Sequence, residues 1–186
     1  GSSIHLVTKK IDKGIILMML KSKHNLKNKN YDQLEKKVFL IDRNLIKKFL
    51  NTILSGRKFN PHKFGRHNSF YWPSLKTNRN AWVNFYWEPV DASKFINAFS
   101  GKYGGALCFY KKKIIKLKNA RSEINKNTFH PYQVGIVFRI NKKRIYIVCS
   151  KGAISCEYKL KSEKKIKIGS RLHTTSKKLE QSLINF

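Results

Sequence analysis

The sequence is poor in acidic residues, in cysteine and in long apolar runs. Only ten Asp and Glu stand against 40 Lys and Arg in 186 residues, so the formal net charge is +30. The longest apolar run, Ile15 to Leu20, is far shorter than the roughly 20 residues of a membrane span, and we expect no membrane partner. Cys108, Cys149 and Cys156 are odd in number, lie in strand-like segments and form no CxxC pair. This pattern argues against a disulfide framework and predicts buried free thiols in a reducing compartment, the mitochondrial matrix or the cytoplasm.

The excess of positive charge needs a physical explanation, because like charges repel one another within a folded chain. A polyanion that neutralises them is one explanation, and RNA is the first candidate. The alternative is a lysine-rich composition typical of AT-rich genomes, which the abundance of Lys, Asn and Ile fits. That bias explains many lysines, but it does not explain why acids are so few. We therefore expect a polyanionic partner.

Hydrophobic periodicity predicts one clear amphipathic helix. Apolar residues recur every three or four positions from Leu34 to Ile53. Asp32 and Glu35 have the spacing of a capping box at its start, and Gly56 predicts its end. Two further helices are predicted at Asp91–Ser100, with Asp91 as the cap, and at Thr175–Leu183.

Short apolar segments joined by basic turns dominate the rest of the chain. Segments of this kind are typical of a small open barrel of the oligonucleotide-binding (OB) type. The predicted strands are Ala106–Tyr110, Ile114–Leu117, Gln133–Ile140, Arg144–Cys149, Ala153–Leu160 and Lys165–Ile168.

Several segments together resemble one protein family. Near the start, two apolar runs flank a short turn that holds Asp12 and Gly14, and this closely resembles the strand and Asp-x-Gly turn of the formyltransferases that use 10-formyltetrahydrofolate. The Tyr71-Trp72-Pro73 segment and His130-Pro131 are more similar to the sugar N-formyltransferases. The strong positive charge is more similar to that of the methionyl-tRNA formyltransferases. Asn84 and Ser150 stand where the family usually has an acid, and Gly104 stands in place of a proline. Further segments resemble the family in the same order along the chain: Tyr71-Trp72-Pro73, Phe95 to Phe99, Gly101 to Ala106, Pro131 to Val137, Ser150 to Ile154 and Gly169 to Leu172.

The resemblance implies an α+β fold with three parts. These are the tail of a Rossmann-like α/β formyltransferase domain at residues 1–56, an extended linker at 57–90, and a small OB-like open β-barrel at 91–186. The resemblance also places Asp12 where the family has the acid of a catalytic trio with an Asn and a His. In the family the Asn and the His both precede that acid, and they are absent from this chain. We therefore expect that Asp12 occupies the family's position but that this chain does not catalyse the reaction. Asn60-Pro61-His62 has suitable residue types, but it follows Asp12 without a flanking strand, and we interpret it as a coincidence.

Basic residues interleaved with aromatic ones form a candidate nucleic-acid surface. Cations would meet phosphates, and exposed rings would stack on bases. The alternative is solvated turns above aromatic residues of the core. No metal site is predicted, because His62, His67 and Cys108 lack the spacing of metal ligands. The candidate nucleic-acid residues are Lys58, Lys63, Arg66, Tyr71, Trp72, Lys76, Arg79, Lys111, Lys112, Lys113, Lys142, Lys143 and Arg144.

The leading hypothesis is therefore a formyltransferase-derived RNA-binding protein, non-catalytic in this chain and associated with a ribosome, such as that of mitochondria. Its expected partners are rRNA or tRNA and other proteins of a ribonucleoprotein, with no cofactor in this chain. The first alternative is the C-terminal part of an active N-formyltransferase, which transfers formyl from 10-formyltetrahydrofolate to a nucleotide-sugar amine or to methionyl-tRNA. The second is a polyanion-binding module without a ribosomal connection. An Asn-x-His element encoded upstream of Gly1 would favour the enzyme.

Overall fold

The computed structural model describes residues 1–10, 14–23, 30–61, 73–123, 129–160 and 165–184. The chain divides into two compact units. The first comprises Gly1–Asn25 and Gln33–Trp72, and the second comprises Leu26–Asp32 and Pro73–Phe186. None of the helices in the described ranges has the length and apolar character needed to cross a membrane.

The first unit contains an antiparallel hairpin. Strand β1 (Ser2–His5) pairs with strand β2 (Ile16–Leu20). The Leu6 N–H donates to the Ile15 carbonyl at 3.0 Å, which carries the pairing one step beyond β1. The predicted first strand is therefore present, although Val7 lies beyond it and is exposed.

A long helix, α1 (Tyr31–Leu54), follows the hairpin, and its residues from Gln33 onward belong to the first unit. The helix predicted from the apolar periodicity is confirmed, and so is its end, where the Gly56 N–H donates to the Ile53 carbonyl at 3.0 Å. Of the described residues of α1, only Leu45 is buried. The first unit as described therefore leaves much apolar surface uncovered. The exposed apolar side chains of α1 are Val38, Phe39, Leu40, Ile46, Leu50, Ile53 and Leu54.

Antiparallel strands of the described second unit form one sheet. The strands are β3 (Ala106–Tyr110), β4 (Lys113–Glu123), β5 (Val137–Asn141), β6 (Arg144–Cys149), β7 (Gly152–Lys159) and β8 (Leu172–His173). In the sheet they lie in the order β5-β6-β7-β4-β3-β8, so β4 pairs with both β3 and β7. Three helices accompany the sheet in the same described ranges: α2 (Thr77–Asn80), α3 (Pro89–Ala98) and α4 (Ser176–Leu183).

The sheet curls until its two outer strands meet. The Val137 N–H donates to the Ser170 carbonyl at 2.8 Å, and the Leu172 N–H donates to the Gly135 carbonyl at 2.8 Å. Gly135 stands where the chain passes too close for a side chain, since its φ is +85° and a Cβ there would overlap the Leu172 carbonyl oxygen. The mixed helix and sheet composition of the predicted fold class is thus confirmed, together with a curled antiparallel sheet.

The core of the second unit lies between this sheet and α3. Side chains alternate along β4, so Ile115 and Leu117 are fully buried while Ile114 and Lys116 lie on the opposite face. Phe109 is in register with Ile114 and therefore lies on that opposite face, where the Trp82 ring stacks on it with the centroids 5.0 Å apart. Other fully buried side chains of this core are Ile96, Val137, Ile145, Ile147 and Ile154.

The predicted strand Lys165–Ile168 and the predicted helix Asp91–Ser100 are among the elements that differ from the structure. Lys165–Ile168 is not a strand: it is irregular and ends in a turn at Gly169, and residues 169–172 make the pairs with the start of β5 instead. The alternation of Lys and Ile suggested a strand there, but the turn interrupts the extended backbone. Helix α3 starts at Pro89 because Glu88 holds the cap position and proline suits the first turn. Asp91 lies within that turn, so its prediction as the cap is wrong.

Candidate functional site

Asp12, which the resemblance places at the position of the family's catalytic acid, lies outside the described residues, in the connection between β1 and β2. The described residues at the two ends of that connection approach each other closely. Gly14 passes so close to Leu6 that a Cβ on Gly14 would overlap the Leu6 carbonyl oxygen. Glycine is therefore required two residues after Asp12, which is the spacing of the Asp-x-Gly turn. At the same end of the hairpin, Cδ2 of the His5 ring lies 3.4 Å from the position of such a Cβ.

Two of the family-like segments contact each other in the second unit. Arg171 donates from Nη2 to the Tyr132 carbonyl at 2.6 Å, and its guanidinium lies 4.8 Å from the centroid of the Tyr132 ring. His130 accepts the Tyr132 N–H on Nδ1 at 3.2 Å and caps a short 3-10 helix at Pro131–Gln133. Because of this turn, the predicted strand from Gln133 begins only at Val137. These contacts lie beside the hydrogen bonds that join the start of β5 to residues 169–172.

Part of the predicted nucleic-acid surface can be located. Lys58, in the first unit, is exposed, and Lys76 and Arg79, in the second unit, are exposed beside and within α2. The remaining members of the linker group lie outside the described residues, and so do two of the histidines considered for metal binding. These residues are Lys63, Arg66, Tyr71, Trp72, His62 and His67.

The turn lysines lie at the tips of two hairpins. Lys111 and Lys112 join β3 to β4, Lys142 and Lys143 join β5 to β6, and all four are exposed, as is Lys113 at the start of β4. Both hairpins use a left-handed backbone at the first turn residue, with φ values of 55° and 52°. RNA binding by these exposed lysines stays a prediction.

Arg144 differs from the turn lysines, because its side chain belongs to a structural network. Its Nη2 donates to the Asn119 carbonyl at 2.9 Å and to the Ser155 carbonyl at 2.7 Å, and its Nη1 lies 3.6 Å from Oε1 of Glu157. These groups lie where the pairing of β4 with β7 shifts register. The guanidinium satisfies carbonyl oxygens that the irregular ladder leaves without partners. Replacing Arg144 would therefore act on the fold.

The prediction of buried free thiols is confirmed for all three cysteines. Burial raises the pKa of the Cys149 thiol to about 12, and it also raises the pKa of the Cys108 and Cys156 thiols above their ordinary value. A buried neutral thiol is a poor nucleophile and a poor metal ligand. Within the part of the chain that the structure describes, no group of His, Cys, Asp or Glu side chains is arranged to hold a metal ion.

The thiols lead to a testable pH dependence. In the unfolded chain each thiol ionises near its ordinary pKa of 9.0, whereas in the folded chain Cys149 stays protonated to about pH 12. Stability is therefore complete below about pH 9 and falls as the pH rises toward 12, by at most about 1.4 kcal/mol per pH unit for each thiol. Urea unfolding across this range, with Cys149→Ala as the control, measures that slope. An unchanged slope in the variant would contradict the assignment.

A cavity of about 460 Å³ opens on the face of the sheet that carries Ile114 and Lys116, and we call it the lysine cleft. It was not predicted from the sequence, because the prediction of basic sites considered the turns. The lysines of the cleft instead alternate with buried residues along β4. The position of Lys159 opposite Lys116 depends on strand register, which the sequence does not display. The lining residues are Gly104, Ile114, Lys116, Lys118 and Lys159.

Solved structures with a similar fold include formyltransferases. A variant of HypX from Aquifex aeolicus has a TM-score of 0.65 at 15% identity, and the match covers 97% of this chain and 31% of HypX. WlaRD, a sugar 3N-formyl transferase solved in the presence of dTDP and 5-N-formyl-THF, has a TM-score of 0.56 at 17% identity, with 88% of this chain and 55% of that one covered. An N-formyltransferase from Helicobacter canadensis, in complex with folinic acid and dTDP-3-aminofucose, has a TM-score of 0.54 at 16% identity, with 84% and 55% covered. The chain thus spans between about a third and about half of the length of these proteins.

The family comparison agrees with the fold. No curated protein matches the sequence. Residues 76–175 match the model of the family described as formyl transferase, C-terminal domain, and these residues are more than half of the chain. The matched range lies within the second unit and contains the curled sheet from β3 to β8. The resemblance inferred from the sequence motifs is confirmed: the chain belongs to the formyl transferase C-terminal domain family.

Proposed function

We propose that this chain is the C-terminal part of an N-formyltransferase, which transfers a formyl group from 10-formyltetrahydrofolate to an amine on a nucleotide sugar or on methionyl-tRNA. The observation that carries the proposal is the extent of the structural likeness. The family model matches only from residue 76 to residue 175, but the likeness to WlaRD and to the Helicobacter canadensis enzyme covers 88% and 84% of the chain. Those two proteins are described with a formyl-folate and a nucleotide or nucleotide sugar.

The proposal also accounts for the uncovered apolar surface of the first unit. An isolated two-stranded hairpin is marginally stable in water, and the described part of α1 buries only Leu45. We propose that residues 1–56 complete a Rossmann-like α/β domain whose other strands come from preceding polypeptide. In the same proposal, residues 57–90 are a linker and the curled sheet within residues 91–186 is an open barrel of the OB type.

Asp12 would supply the acid of the catalytic trio. In this role its carboxylate orients a histidine and stabilises the protonated form of that histidine as the amine attacks the formyl carbon. The hairpin of β1 and β2 would hold Asp12, and Gly14 would allow the tight approach of the two strands. The folate supplies the formyl carbon when it is bound. The Asn and His of the trio would come from preceding polypeptide.

The first test of the proposed function is the chain by itself. Purified alone, it is expected to transfer no formyl group to an amino-sugar nucleotide or to methionyl-tRNA, because one carboxylate without its histidine cannot carry out the proton transfer. The absorbance change on release of tetrahydrofolate measures formyl transfer, and the same assay is run on the Asp12→Asn chain. Release above background that Asp12→Asn abolishes would show that this division of the trio is wrong.

The ribosomal hypothesis has no support from the comparisons, which name folate and nucleotide-sugar ligands rather than RNA. The enzyme alternative is therefore the better-supported of the two. An rRNA or tRNA partner, other proteins of a ribonucleoprotein, and a mitochondrial or cytoplasmic location stay predictions.

A further inference from the structure

The lysine cleft gathers like charges on one face of the sheet. Lys116 of β4 stands directly opposite Lys159 of β7, and Lys118 follows two positions later on the same face. Side chains directly opposed on antiparallel strands are about 5 Å apart at Cβ, and like charges at that distance destabilise the pair. Lys116 and Lys118 are half-buried, so water screens their charges incompletely, whereas Lys159 is exposed. The protein without a ligand therefore carries an electrostatic cost here.

No ion pair within the described residues offsets this cost, because none of them includes Lys116, Lys118 or Lys159. Glu157 is in register with Lys118, but its carboxylate oxygens are engaged by Arg144 at 3.6 Å and by Nδ2 of Asn119 at 3.1 Å. The remaining lining residues have no polar side chain. The lining side chains thus offer ammonium donors and no acceptor.

We propose that the lysine cleft binds a compact phosphate-bearing anion of the diphosphate class. Ionised phosphate oxygens accept hydrogen bonds, and these charge-assisted bonds suit a lining made of donors. The volume of about 460 Å³ is that of a small-molecule site. A diphosphate places several negative charges in one such space, whereas the phosphates of a nucleic acid are spread along its backbone. The half-exposed Ile114 adds an apolar edge suited to a group attached to the diphosphate.

The proposal does not depend on formyl transfer, and thermal unfolding of the whole chain tests it with inorganic pyrophosphate as the probe. Pyrophosphate is expected to raise the Tm of the unmodified protein. The Lys116→Gln/Lys159→Gln variant should lose about tenfold or more of the affinity derived from this shift. Lys165→Gln/Lys167→Gln removes the same charge from exposed positions of the same unit and should keep the affinity within about twofold.

A second readout separates a binding site from a structural role. Without ligand, Lys116→Gln/Lys159→Gln is expected to raise the Tm, because it removes the repulsion between opposed lysines. With saturating pyrophosphate, the same variant should become the less stable protein. A residue needed only for the fold would lower the Tm in both conditions.

Other anions define the chemical class. Orthophosphate should bind more weakly than pyrophosphate, and ADP should bind at least as tightly as pyrophosphate if the natural ligand is a nucleoside diphosphate. Tighter binding of pyrophosphate than of ADP supports a diphosphate without a nucleoside. Equal loss of pyrophosphate binding in the cleft variant and in the Lys165→Gln/Lys167→Gln control would overturn the proposal. So would a Tm that pyrophosphate leaves unchanged while structured RNA raises it in a cleft-dependent manner.

Discussion

Replacing Asn97 by alanine is expected to lower the free energy of unfolding by about 2–5 kcal/mol. The Asn97 side chain is almost fully buried, and it makes two hydrogen bonds to one residue of β4. Its Oδ1 accepts the Ala120 N–H at 2.7 Å, and its Nδ2 donates to the Ala120 carbonyl at 2.8 Å. Ala120 lies in the bulge where β4 loses its regular pairing with β7, so the asparagine substitutes for a neighbouring strand. Alanine would leave both buried backbone groups without partners.

Urea unfolding followed by tryptophan fluorescence measures this effect. Asn78→Ala is the matched control, because Asn78 is an exposed asparagine in the same unit, and it should change the stability by no more than about 0.5 kcal/mol. Equal stabilities for the two variants would show that the Asn97 contacts do not hold the bulge.

Elements that depend on local sequence signals were predictable. The long helix α1 follows from its apolar period, and its end at Gly56 follows from a turn that glycine favours. The hairpin of β5 and β6 follows from two apolar segments around a short polar turn. In each of these cases the interactions join residues that are near in sequence, so the pattern contains the information.

Elements that depend on distant partners were not predictable in the same way. The predicted strand ended at Leu117, whereas β4 continues to Glu123 through a polar segment. Asn97 and Arg144 hold that segment in the sheet, and neither contact is visible in the local pattern. The same reason explains why Arg144 was grouped with the turn lysines, although its guanidinium lies in a network with β4 and β7.

The candidate site residues show the same difference between patterns that are local in sequence and contacts that depend on distant residues. The Asp-x-Gly pattern could be recognised because its residues are adjacent in sequence; of these residues the structure describes Gly14, which approaches Leu6 closely. The lysine cleft needed the register of β4 against β7, which places Lys116 opposite Lys159. Register depends on the whole sheet, so it could not be obtained from the segments separately.

The measurement that tests the central claim most directly is the kcat for formyl transfer by the polypeptide encoded by the complete reading frame, with and without Asp12→Asn. The account predicts an Asn-x-His element upstream of Gly1 and formyl transfer to an amine. It predicts that Asp12→Asn lowers kcat by about 10²–10⁴-fold, the range for removing a group that supports proton transfer. Asp91→Asn removes an exposed acid from α3 and should leave kcat unchanged within about twofold. A complete polypeptide that lacks an Asn-x-His element, or whose formyl transfer is unaffected by Asp12→Asn, would contradict the account.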